Sequence, residues 1–484
     1  MNALKTLLLR LWDSPTFTTW GSIATRLLSS FIVLPMVLIK FSAPEVVVWQ
    51  LFATMTTLLL LMDFGIAPTF TRLIAYANGG ASVDDLVDMR KERQRSSAQV
   101  NEQTVHAVFA TLRWLYVRVG LGLTALMCIG GTLSLMHPMG QLEDPSHAWL
   151  AWAVWATCSI TSVWGNAFGA ALQGLNRISV LRRWEIVTAS CQIVTAFTVL
   201  FLGGDILALA VSSSFWTVFN AYRTRAVLFK EFPKLKAVPP EAHPTINKVL
   251  WPTVWRSGLG HLMSLGIMQS SGIIYSHLAS AGEAAAYLLA LRVMSILTGF
   301  STTPYYSKLP KLGELYSRGE RDEQLAMAKR GMFLSHWVFV AGAVTVLFVV
   351  QFWLTSIGSK VSFVSDKIWI LMSIAFLIER AGGMHMQLYS LTNHIVWHIA
   401  NGVTGVVMIG AAMLMYPSMG LQSFPLAMIL AYCLCYTPYA VYLASRHYKF
   451  SVPAFERHAS ALPVCAFAAV MITYWVVKSG LPVF

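Results

Sequence analysis

Seven arginines fall inside stretches that are otherwise apolar: Arg26, Arg72, Arg113, Arg118, Arg256, Arg292 and Arg380. Arginine presents five donors in a planar, permanently charged fork that matches phosphate and carboxylate oxygens. Arg72 and Arg113 lie near the ends of their runs, where a long side chain snorkels to headgroups. The other five lie deeper. Facing lipid they would cost about 15 kcal/mol together, at about 3 kcal/mol each, comparable with the whole stability of a domain. They are therefore expected to line a protein interior or a wet cavity, with bracing of helix-end carbonyls as the plainer alternative for each. Acidic partners are few, with Asp63 and Glu379 the clearest and Glu185 near the end of a run. An interior with excess positive charge suits an anion, and phosphate is the anion that arginine binds best.

Asp63 opens the triplet Asp63-Phe64-Gly65, which binds magnesium in kinases when a Gly-rich loop, a strand lysine and a catalytic loop accompany it. None does here, and the triplet sits in an apolar run of membrane length. At 1.5 Å per residue, Arg26 and Asp63 lie roughly 16 and 20 Å from the same side of a bilayer core of about 30 Å. They are expected to meet as an ion pair near the midplane, while Gly65 and Pro68 let the helix bend. Glu379 and Arg380 are adjacent, point about 100° apart on a helix and are expected to serve different partners; Glu379 is a candidate proton site. His261, between Gly260 and Leu262, could titrate during a cycle. His394 and His398 stand one helical turn apart without a third ligand nearby in sequence, so no metal site is expected, and no cofactor. All six cysteines lie in apolar runs and read as small hydrophobes.

The elements that hold these residues must be membrane helices. The chain of 484 residues is 56% hydrophobic and 12% charged, half the charge of an ordinary soluble domain. Apolar runs fall near 17–39, 46–76, 107–135, 147–173, 180–203 and 205–226, then 249–278, 283–307, 331–356, 364–390, 395–416 and 422–445, with a last one at 460–478. The expectation is an all-α, polytopic transmembrane bundle of thirteen spans. The N-terminal "MNALKTLLLRLWDSP" reads as an interfacial helix, having no small-residue cleavage site. With the N-terminus cytoplasmic, external segments hold only Lys40, Lys360, Lys367 and Lys478, and most other cations fall inside, as the positive-inside rule requires. The net charge of +13 then reports topology and lipid headgroups, not nucleic acid. No connector is long enough for a soluble catalytic domain, so a non-enzymatic function within the helices is expected.

The chain also repeats itself. At an offset of 236, "DFGIAPTFTRL" (63–73) lies over "GFSTTPYYSKL" (299–309), which pairs Pro68 with Pro304 and Arg72 with Lys308. At 235, "WGSIATRLLS" (20–29) lies over "WRSGLGHLMS" (255–264). Six spans per unit is even, so the halves keep one orientation and make parallel repeats around a central cavity, a transporter's geometry. The expected organisation is an interfacial helix at 1–16, a six-span half at 17–230, a linker at 231–248, a second six-span half at 249–446 and an additional span within 447–484.

Three segments resemble bacterial polysaccharide and O-antigen flippases of the multidrug, oligosaccharidyl-lipid and polysaccharide exporter superfamily. They are "FSAPEVVVWQLFATMTTLLLLMDFGIAPTFTRLIAYANGG" (41–80), "ALQGLNRIS" (171–179) and "PYYSKLPKLGELYSRGERDEQLAMAKRG" (304–331). The likeness covers most of 15–446 and departs at "SAPEVVVW" (42–49), which keeps only the Pro and one Glu of the family's usual pattern. It implies a flippase that moves an undecaprenyl-diphosphate-linked oligosaccharide to the periplasmic leaflet of an inner membrane by ion-coupled alternating access, the ion being H+ or Na+. By similarity Arg26 and Arg256 would contact the diphosphate, with Arg292, Arg118, Arg380 and His261 completing a positive cavity. It also implies polysaccharide polymerase or assembly proteins as partners. Alternatives are a multidrug/cation antiporter of the same superfamily, which should have a more acidic cavity, and a lipid II flippase.

Overall fold

The computed structural model describes residues 15–61, 66–87, 100–248, 251, 269–318, 320–392 and 396–479. Asp63, Gly65, Arg256, His261 and the expected interfacial helix up to residue 14 lie outside them. The described residues contain helices and turns and no strand. They fall into two compact units, Met1–Leu262 and Met263–Phe484.

Unit 1 contains α1 (Pro15–Lys40), α2 (Ala43–Leu61), α3 (Ile66–Asn78), the short α4 (Val83–Val87), α5 (Glu102–Met139), α6 (Ser146–Gly174), α7 (Ile178–Phe201) and α8 (Ile206–Glu231). Helix starts follow capping chemistry. Asn101 accepts from the Thr104 N–H at 3.0 Å at the head of α5, and Asp205 accepts from Ala208 N–H at 2.9 Å at the head of α8. Within the unit α6 packs on α8, α5 and α3, while α7 packs on α1. Its core is aromatic. Trp152 stacks on Trp155 with centroids 5.1 Å apart, Phe52 lies 5.7 Å from Trp152, and Phe168 meets Trp164 edge-on at 4.7 Å. Gly131 makes room for this stack, since a Cβ there would stand 2.4 Å from the Trp152 ring.

Unit 2 contains α9 (Ala281–Tyr306), α10 (Leu309–Arg318), α11 (Arg321–Ser356), α12 (Asp366–Ser390), α13 (Trp397–Met419), α14 (Ser423–Ala431), α15 (Thr437–Tyr448), α16 (Val452–Ala459) and α17 (Ala461–Ser479). Ser280 and Glu283 form a reciprocal capping box at the head of α9. Gly420, at φ +53°, closes α13 so that α14 can return against it. Between α14 and α15, Tyr432–Tyr436 winds as a π-helix. α12 is the hub, touching α9, α11, α14 and α15. Lys478 and Tyr474 of α17 both bond Asp366 at the start of α12.

Among the described residues, seven helices are long and apolar enough to cross a membrane; the continuous 397–448 stretch, counted as one of them, contains the turn at Gly420. α1, α6 and α8, of 26, 29 and 26 residues, are also long enough at 1.5 Å per residue. The expected spans fall on described helix apart from 46–76, whose residues 62–65 lie outside the described residues, 395–416, whose first residue does, and 249–278, of which 251 and 269–278 are helical and the rest lies outside them. The all-α polytopic architecture expected from the sequence, with a helix beyond 460, is thus the one observed.

Candidate functional site

The charges of unit 2 are placed by α12, and glycine lets its neighbours come close. A Cβ on Gly382 would stand 2.7 Å from Thr437 Oγ1 and 3.0 Å from Thr437 Cα, so α15 can pack at this distance only against a bare backbone. Three hydroxyls then bond carbonyls of α12: Thr437 donates to Ile378 at 2.9 Å, Tyr305 to Met384 at 3.1 Å and Tyr448 to Leu388 at 2.9 Å. These bonds fix the rotation of α12 about its axis.

That rotation buries Arg380 to 2% exposure. Its Nη2 donates to the Thr298 carbonyl of α9 at 3.0 Å, and its guanidinium lies 5.0 Å from the centre of the Phe339 ring on α11. Nε and Nη1 are buried with no hydrogen-bond partner among the described residues. Each unmet buried donor costs about 1–3 kcal/mol, more when charged, and the ring contact returns no more than about 2 kcal/mol. An oxyanion would satisfy both donors at once.

Glu379 is within electrostatic reach of Arg380 itself, and both reach Tyr306. Its Oε1 lies 3.4 Å from where a Cβ on Gly383 would be, and the Tyr436 hydroxyl is 3.8 Å from that same point. Tyr306 of α9, with Tyr432 and Tyr436 of the π segment, are all within electrostatic reach of its carboxylate. Arg292, partly buried on α9, precedes Thr298 by six residues, roughly 9 Å along the axis. Pro304 stands in the last turn of α9, where Ser301 bonds the Leu297 carbonyl and Thr302 and Thr303 bond that of Gly299; such back-bonding loosens a helix.

In unit 1, Arg118 is exposed on α5, with its guanidinium 4.3 Å from the centre of the Trp114 ring. The two line a largely apolar groove of about 440 Å³ with Trp251 and Asn247. Arg113 donates from Nη1 to the Val238 carbonyl of the connector after α8 at 2.5 Å. Arg26 belongs to α1 and Pro68 to the first turn of α3, with their side chains outside the description. The expected Arg26–Asp63 pair also falls outside the described residues. Among those residues no three His, Cys, Asp or Glu side chains converge as metal ligands.

Sequence reasoning overlooked a buried set on the same face of unit 2. His385, on α12, donates from Nδ1 to the Ala381 carbonyl at 2.9 Å, and its Nε2 lies 3.0 Å from Glu456 Oε1 of α16. The approach is oblique, leaving a charge contact instead of a linear hydrogen bond. His336 of α11 is 1% exposed, donates from Nδ1 to the Met332 carbonyl at 2.8 Å and buries Nε2 without a hydrogen-bond partner among the described residues. The only signal in the sequence was polarity within apolar runs, in "RAGGMHMQ" (380–387) and "FLSHWVF" (333–339).

No protein-family model matches the chain, and no curated protein matches it in sequence. Solved structures do. An inward-facing multidrug-resistance MATE transporter of the MOP superfamily matches with a TM-score of 0.64 at 14% identity, covering 88% of this chain and 96% of that one. The lipid II flippase MurJ in an inward closed conformation matches with a TM-score of 0.60 at 12% identity, covering 95% and 93%. A MOP-superfamily transporter from Pyrococcus furiosus, described as having a binding pocket of reversed polarity, matches with a TM-score of 0.53 at 11% identity, covering 91% and 97%. At these identities the likeness is one of fold: the chain is a polytopic helical membrane protein with the fold shared by the MATE and MurJ transporters of the MOP superfamily.

Proposed function

We propose that this protein is a flippase that carries an undecaprenyl-diphosphate-linked oligosaccharide from the cytoplasmic to the periplasmic leaflet of a bacterial inner membrane, by ion-coupled alternating access. The observation that carries this reading is Arg380, a buried guanidinium with two donors left for an oxyanion. Arg292 adds a second cation on α9 of the same unit. The resemblance of three segments to polysaccharide flippases supports it, as does a fold shared with the lipid II flippase MurJ. The prenyl tail would stay in lipid while the diphosphate meets the arginines. Polysaccharide polymerase or assembly proteins are the partners this reading calls for, and the N-terminus would be cytoplasmic.

The test is reconstitution into liposomes with a fluorescent prenyl-diphosphate oligosaccharide in one leaflet, read by its accessibility to a membrane-impermeant quencher. Wild-type protein should equilibrate the probe between leaflets, and Arg380→Ala should slow this by tenfold or more. No movement by wild type above empty liposomes would overturn the reading. A second reading, the multidrug/cation antiporter, is favoured by Glu379 among Tyr306, Tyr432 and Tyr436, a carboxylate with aromatic walls suited to an organic cation. Efflux of a cationic dye that Glu379→Gln abolishes, with no lipid flipping, would establish it instead.

A further inference from the structure

α16 is a short amphipathic helix after the last residue of α15. Phe455 and Ala459 anchor it in a buried cluster with Met332 and Ala328 of α11 and Met384 and Leu388 of α12. Phe450 stacks on Phe455 at 4.5 Å, and Phe455 meets the His385 ring edge-on at 5.4 Å. This aromatic cover leaves the His385 side chain 2% exposed, while that of Glu456 is 25% exposed. One end of the contact is wet and the other dry.

The protonation of the pair follows from geometry. A carbonyl only accepts, so His385 Nδ1 must carry a hydrogen for Ala381. If Nε2 were then bare, two unprotonated acceptor atoms would stand 3.0 Å apart, a repulsive contact unless the carboxyl itself is protonated. The contact therefore holds one proton, on Nε2 or on Oε1. Ser460 donates to the other carboxylate oxygen, Oε2. Burial pushes the Glu456 carboxyl up, but the His385 contact and the Ser460 hydroxyl outweigh it and hold the group below the usual carboxylate range.

We propose that His385 and Glu456 form one proton-binding site, open at Glu456 and closed at His385, through which H+ acts as the coupling ion. This rests on the transport reading above. The proton exchanges with bulk water at the Glu456 side and no other bond changes. His336 lies within electrostatic reach of His385, Glu456 and Arg380. The other charged or titratable groups facing the pair leave it intact. From α11, Lys329 lies over the Phe455 ring at 5.9 Å; from α15, the Tyr448 hydroxyl is engaged with Leu388; α16 itself adds Arg457 and His458, both exposed. α17 offers an exposed Cys465, with Tyr474 and Lys478 at its far end on Asp366.

The full-length protein in nanodiscs is titrated through neutral pH with an indicator dye, and bound protons are counted. Glu456→Gln and His385→Gln should each bind about one proton fewer than wild type, and the double variant should lose no more than either, because the pair titrates as one site. An unchanged count in Glu456→Gln, or additive losses, would overturn the proposal. Should the variants not accumulate, nitrogen-15 spectra of wild type labelled at its 12 histidines decide. One imidazole staying protonated above the pH at which the others titrate supports the site, and none doing so sinks it. In liposomes, a pH gradient should accelerate wild-type flipping and leave Glu456→Gln at its undriven rate. Proton binding without any flipping would refute the transport reading while leaving the site standing.

Discussion

The two units solve the problem of an interior in lipid differently. Unit 1 fills its described core with rings, and several of its arginines lie on aromatic faces: Arg223 is 3.4 Å from the centre of the Trp184 ring, and Arg225 is 5.4 Å from that of Trp164. Its polar bonds mostly return to its own helices, as when Thr195 receives the Ser212 hydroxyl and the Trp216 indole. Unit 2 instead buries Arg380, His336 and His385 against carbonyls of α9, α11 and α12, with donors and a ring nitrogen left unmet. Stacked rings cost little to bury and have one state. Buried imidazoles cost stability and can hold or release a proton, while a buried guanidinium stays charged and calls for an anion.

Four substitutions would break or sharpen that contrast. Trp152→Ala should cost about 3–5 kcal/mol by emptying the aromatic core of unit 1, seen as a lower thermal midpoint in detergent with flipping per folded molecule unchanged. Arg380→Met should do the reverse, lowering flipping tenfold or more while thermal stability holds or rises, since a well-packed apolar side chain replaces unmet donors. Equal destabilisation by both would end the distinction. Gly382→Ala should destabilise unit 2 by about 1–3 kcal/mol, because its Cβ meets Thr437 backbone and not just a movable side chain. Arg223→Ala, removing a cation from an indole face, should cost only about 0.5–1 kcal/mol.

Acid supplies a fifth test. Glu456 is held below its ordinary value of 4.5, so its folded-state contribution is fully present above that value and is lost as pH falls through the lower, folded one. Wild type should therefore lose thermal stability on acidification below about pH 5, and Glu456→Gln should lose less over the same range. Parallel curves would mean that the contact adds no linked stability.

Runs of some 20 apolar residues made the helices legible, because nothing else satisfies a backbone in lipid. Helix ends were less so. α11 begins at Arg321 where the apolar run begins at 331, since "RDEQLAMAKR" (321–330) is a sound helix former with Asp322 and Glu323 in the first turn. The π turn at Tyr432–Tyr436 left no trace, because it depends on Tyr436 and Thr437 fitting around Gly382. Arg380 was recognisable as a charge in an apolar run. His385 and Glu456 were not recognisable as a pair, being 71 residues apart in sequence (456 − 385) and joined only when Phe455 docks α16. The segment that carries Glu456, read only as part of the stretch 447–484 that holds the additional span, is a tether between α15 and α17.

That tether and the last span together hold α12 like a beam clamped at both supports. At one end Lys478 and Tyr474 grip Asp366; near the other Glu456 touches His385. A clamped beam resists sliding along its axis and turns stiffly, so Glu379 and Arg380, at mid-length, keep a fixed bearing. Undoing either clamp converts the beam to a lever with one free arm. α17 is then a mechanical restraint on the charged helix at Asp366, and α16 is a second one at His385.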